Sequence, residues 1–162
     1  MSGLVRDAVR GAIAGAAATW LMDVVTTRLY EGQASSVTER EQAAQPNGKG
    51  SVANMVDRFE DATGISISAR SRPMVENAVH YLLGVAPGAV YGVVRRRLPA
   101  ARLWDGAAYG LVIFALNDEY LNTRLGFAGP YSAYPIETHL RGLAGHAALG
   151  MGTETGIRLL GG

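Results

Sequence analysis

At 162 residues the chain has the length of one domain, and its lack of cysteine excludes a disulfide scaffold, a thiolate zinc site, an iron–sulfur cluster and a Cys nucleophile. Lys and Arg number 15 against 14 Asp and Glu, and a net charge of +1 argues against electrostatic capture of nucleic acid. Only 18% of residues are charged, below the roughly 25% of soluble domains, while 21 Gly and 25 Ala leave the chain rich in small residues.

The charges are unevenly placed. Residues 11–22 (GAIAGAAATWLM) contain none, and a helix over about 8–30 reaches spanning length if Asp23 lies within the membrane. Arg6 and Arg10 ahead of it look like the start of a signal peptide, but no A-x-A-like site follows, so the segment reads as a retained anchor. Residues 31–73 are polar and make the largest extramembrane piece, broken at 45–51 (QPNGKGS). There Val52, Met55, Val56 and Phe59 recur at i, i+3, i+4 and i+7 behind Ser51 as N-cap, which predicts a short amphipathic helix capping the spans or lying on the membrane. The GKGS run is not a phosphate loop, since Ala43 stands where its first glycine belongs and no strand precedes it.

Residues 77–94 are free of charge over 18 positions and predict a span at 74–94, with Pro87 inside it releasing the Leu83 carbonyl one turn from His80. Two more uncharged runs, 106–117 and 142–153, predict spans at about 104–125 and 136–160, provided that Asp118, Glu119 and Glu154 lie at membrane depth. A soluble bundle of short buried helices is the alternative, but its helices would show a charged outer face, which these runs lack. Arg95, Arg96, Arg97 and Arg102 place the second connection, and with it both termini, on the cytoplasmic side. Tyr30, Tyr120, Phe127, Tyr131 and Tyr134 then form an outer aromatic belt, with Trp104 at the inner one. The expected fold is all-α: a single membrane domain over 1–162, a four-helix bundle with N-in/C-in topology.

Spans one and three share a pattern, Gly11-x3-Gly15-x7-Asp23 and Gly106-x3-Gly110-x7-Asp118, each closed by Thr-Arg-Leu. Spans two and four share His80-x3-Gly84 and His146-x3-Gly150, so the chain reads as two tandem helical-hairpin repeats. Small residues at i, i+4 and i+8 form ridges that let backbones approach, and the same ridges carry the ionisable groups inward. Counted at 1.5 Å per residue from the cytoplasmic charges, Asp23, His80, Asp118 and His146 all fall roughly 18–23 Å up, in one layer. Glu119 shares that layer, His139 lies nearer the outside as an entrance residue, and Glu154 is deep on the inner side, four residues before Arg158.

Ionisable groups at membrane depth cost roughly 2.5–3.5 kcal/mol each on insertion scales and mark function by default. Two carboxylates and two imidazoles suit a proton relay or a divalent-metal site with Asp23, His80, Asp118 and His146 as ligands, and Glu119, His139 and Glu154 around or along the path. The same layer also reads as structural glue in a non-catalytic subunit or scaffold of a larger membrane complex. A third reading makes His80 and His146 the axial ligands of a haem, with Gly84, Gly88 and Gly150 leaving room for the ring. Nothing in the spans is an enzyme motif: there is no G-x-S-x-G, no H-E-x-x-H, and no serine within any span. The small size makes a homo-oligomer the expected way to build any pathway.

The stretches G-x-x-A-G-x-x-A-T-W-x-M-D (11–23), H-x-L-x-G-x-x-x-G-x-x-Y-G (80–92), N-D-E (117–119), L-G-F-x-G-P-x-x-x-Y-P-x-x-T-H (125–139) and H-x-x-x-G (146–150) resemble the YagU-like group of bacterial inner-membrane proteins. Together they cover most of the chain outside 31–73. The resemblance implies a four-span protein of the bacterial inner membrane and carries over no catalytic residue.

Overall fold

The computed structural model describes residues 3–97 and 106–162; Arg102 and Trp104, assigned above to the inner side, and Asp105 lie outside them. The described residues are mostly helical, with no strand among them. Helix α1 runs Gly3–Glu31, α2 Ser35–Ala44, α3 Ser51–Thr63, α4 Arg72–Val94, α5 Ala107–Ile113, α6 Asn122–Arg124 and α7 Ile136–Leu159, and a π-helical stretch over Phe114–Leu121 joins α5 to α6. Two of these, α1 and α4, are long and apolar enough to cross a membrane.

The ends of α4 and α7 fall within two residues of those expected from charge-free runs, and α1 ends where expected but begins five residues earlier, at Gly3. The segment 31–73 differs. It holds α3 where periodicity places it, but Ser51 is the first helical residue rather than the cap: Gly50 takes that position and no side chain caps the helix. Asn47 and Gly48, both at positive φ, form the turn before it, and Gly64 at φ +70° ends it in the left-handed conformation that glycine adopts at least cost. α2 has no apolar stripe to announce it, since only Val37 and Glu41 are buried along it. The third hydrophobic stretch is not a plain α-helix either; its π turns put one extra residue into the helix around Asp118 and Glu119.

α1 packs along both α4 and α7, and α5 packs on α7. The α1–α4 seam is built from backbone. A methyl added at Gly15 would lie 2.6 Å from the Gly84 carbonyl oxygen, and one at Gly88 the same distance from the Gly11 oxygen, so both positions require glycine. Gly106 and Gly110 meet Gly150 and His146 in the same manner across α5 and α7. The two seams are offset by one turn from the sequence match: Gly84 faces Gly15, whereas His146, four residues before Gly150, faces Gly110. Apolar side chains point outward on all four long stretches, among them Trp20, Leu82, Val90, Val112, Leu116, Leu140 and Met151, while Thr19, His146, Thr153 and Glu154 are buried.

Candidate functional site

Four side chains from four helical stretches were expected in one layer, and they form two pairs. Asp23 on α1 and His80 on α4 meet directly, with His80 Nε2 2.7 Å from Asp23 Oδ1. His146 on α7 is buried, and its Nδ1 lies 3.7 Å from Asp118 Oδ2 and 3.0 Å from the Gly142 carbonyl. A carbonyl only accepts, so Nδ1 carries the ring proton there and Nε2 is left as the site that can take up another. Asn117 Nδ2 donates to Asp118 Oδ1 at 3.0 Å.

His80, Asp118 and His146 line a common cavity of about 190 Å³, together with Thr19, Asn117 and Asn122 and the apolar Met22, Leu83 and Leu149. Ser51 and Val52 at the start of α3 close over it, so that end of the amphipathic helix caps the packed helices. A second cavity of about 290 Å³ adjoins the first, since Met22, Ser51, Asp118 and Asn122 line both. Glu119 and His139 stand on the larger one with their side chains 2.8 Å apart. His139 Nε2 faces the Tyr131 carbonyl at 3.2 Å and the ring stacks on Tyr131 at 4.0 Å. With a carbonyl on one ring nitrogen and a carboxylate on the other, the His139–Glu119 unit must hold a proton between its two partners.

Two expectations about ligands meet a different arrangement. Among the described residues no three His, Asp or Glu side chains gather closely enough to hold a metal ion, because the four candidates are divided between two pairs. The glycines expected to make room for a haem are filled from elsewhere: Gly84 and Gly88 lie against the α1 backbone and Thr19, and Gly150 against Gly106 and Gly110. Neither group fits the residues present.

Glu154 departs furthest from expectation. Its pair with Arg158 is present at 2.8 Å, but the fully buried carboxylate also takes two bonds from Arg95, at 2.8 and 2.5 Å, and one from the Tyr91 hydroxyl at 2.7 Å. Arg95, counted by sequence as a loop charge, is itself 3% exposed. This knot ties the end of α4 to α7 two helical turns from His146. Sequence reasoning also missed a cluster over the larger cavity, where Arg141 on α7 bonds Gln33 and, at 2.6 Å, Glu41 of α2, and lies 5.1 Å from the Tyr30 ring centre. An unpaired-looking arginine inside a predicted span was the available signal. No family model, curated protein or solved structure matches the chain.

Proposed function

We propose that the chain is a four-span protein of the bacterial inner membrane, N-in/C-in, in which paired imidazoles and carboxylates take protons from the outer side and relay them inward along two adjoining cavities. One observation carries the reading: three His–carboxylate pairs, Glu119–His139, Asp118–His146 and Asp23–His80, stand on or beside two adjoining cavities between helices that share Asp118 in their walls. An imidazole exchanges protons near neutral pH and a carboxylate beside it accepts and returns them, so three such pairs in sequence make a path without any bound metal. The Glu154–Arg95–Arg158 knot ties the end of α4 to α7 two helical turns from His146 and holds the helices that carry the pairs in register.

Four spans rather than two are supported by α5 with the π-helical stretch after it and by α7, which turn Val112, Leu116, Leu140 and Met151 outward and His146 and Glu154 inward, the arrangement lipid demands. The resemblance to YagU-like proteins agrees with that location. Lipid is the partner of those outer faces, and a homo-oligomer or larger membrane complex is the working form we propose.

The test is the decay of an imposed pH gradient across vesicles holding the purified protein and a trapped pH-sensitive dye. Wild-type vesicles should lose the gradient at least tenfold faster than empty ones, and H80Q and H146Q should return the rate toward the empty value. Equal rates in wild-type and empty vesicles, or unchanged rates in both variants, would sink the relay.

A further inference from the structure

One end of the α1–α4 pair carries more positive charge than its carboxylates balance. Asp7 on α1 is buried, and its Oδ1 faces two guanidiniums at once, Arg10 at 3.8 Å and Arg96, just beyond α4, at 3.2 Å. A single carboxylate thus fixes two cations across the seam while cancelling one of them. Arg6 and Arg97 stand at the same end, exposed, and neither has a carboxylate within ion-pair distance among the described residues. Arg95 does not add to the surplus, since Glu154 takes its charge in the interior. Four guanidiniums against Asp7 leave three positive charges over.

Beside these charges the surface turns apolar. Arg6, Val9 and Ile13 share a face of α1 at i, i+3 and i+7, within about 10 Å along the helix axis, and both apolar side chains are exposed. On α4, Val90 is 62% exposed two turns before Arg97. Guanidiniums match phosphate oxygens, and outward aliphatic side chains match acyl chains. A free phosphate would leave the apolar strip uncovered, and a zwitterionic lipid would leave the surplus charge. From this we infer that this end of the α1–α4 pair binds an anionic phospholipid, its phosphate among Arg6, Arg96 and Arg97 and its acyl chains along Val9, Ile13 and Val90. Basic residues at an inner surface orient a chain whatever lipid surrounds it, whereas arginines fixed on a buried Asp7 beside an apolar strip select a headgroup. The inference rests on the membrane reading above, with α1 and α4 as spans, and is independent of the proton path.

Native mass spectrometry of the full chain in mild detergent decides it, with phosphatidylglycerol, phosphatidylcholine of the same acyl chains and glycerol 1-phosphate as probes. Phosphatidylglycerol should bind saturably and at least tenfold tighter than either of the others. The double variant R6Q/R97Q should lose at least fivefold of that preference while binding phosphatidylcholine as the wild type does, which also reports that it is folded. R40Q/R124Q removes the same charge from exposed arginines of α2 and α6 and should keep the preference. Equal binding of the two lipids, binding of glycerol 1-phosphate as tight as that of the lipid, or equal losses in the two double variants overturns the inference. Vesicles that pass no protons while the preference persists would remove only the relay; binding of neither lipid would remove the membrane reading along with this proposal.

Discussion

Glu154 shows how far a single side chain can be read from its neighbours in sequence. Its partner Arg158 was legible because four residues separate them on one helix, whereas Arg95 and Tyr91 come from another helix and leave no trace in spacing. The same division runs through Asp23, His80, Asp118 and His146: counting from the flanking charges predicts one layer, but their sorting into two pairs depends on how the helices turn toward each other. Removing the charge at 154 leaves Arg95 buried without its counter-charge, which typically costs about 3–5 kcal/mol. E154Q should therefore lower the thermal unfolding midpoint in detergent far more than Y91F, which removes one bond to a charge worth about 1.5–3 kcal/mol. Equal effects of the two would show that the Arg95 charge is satisfied some other way.

At the scale of elements, α1, α4 and α7 were legible because long uncharged runs need no partner to be recognised, and α3 because its apolar residues repeat at helical spacing. α2 and the π turns were not, since the first is tethered by polar contacts to Arg141 and the second is a local change of winding with no composition of its own. α3 is fastened to the start of α4 by charge. A bond from Lys49 at 2.7 Å, then Arg72, holds the Asp57 carboxyl below its ordinary value of 3.8, and the Ile67 N–H at 2.6 Å, then Arg72, holds Glu60 below 4.5. Groups depressed by folding stabilise the fold above their unfolded values and lose that contribution as pH falls through the folded ones. Amide exchange in α3 should accordingly quicken relative to α1 as pH drops below about 4, after correction for intrinsic rates, and R72A should show the faster exchange already at neutral pH. On the α1–α4 seam, G88A presses a methyl against the Gly11 carbonyl, which cannot yield as a side chain would, and should destabilise by about 1–3 kcal/mol, while Gly3→Ala, with open space around it, should be neutral.

For the whole molecule, orientation is the first quantity to measure, and a chain without cysteine offers a clean background for it. Single cysteines at Ser68, between α3 and α4, and at Arg97, beyond α4, should react with a membrane-impermeant maleimide from the outside and only after permeabilisation, respectively. Labelling of both from the same side would contradict a crossing by α4. The all-helical class was evident from the sequence, and the number of crossings rests on where α5 and α7 turn their apolar side chains. The glycine seam has a thermodynamic consequence for this assembly. Closing Gly11 and Gly15 onto Gly84 and Gly88 freezes no side-chain rotamers, because none of the four has any to lose. Docking of α1 on α4 at these four positions is then opposed by the loss of rigid-body freedom between two preformed helices, and the side-chain ordering falls instead on Thr19 and the Asp23–His80 pair farther along the seam.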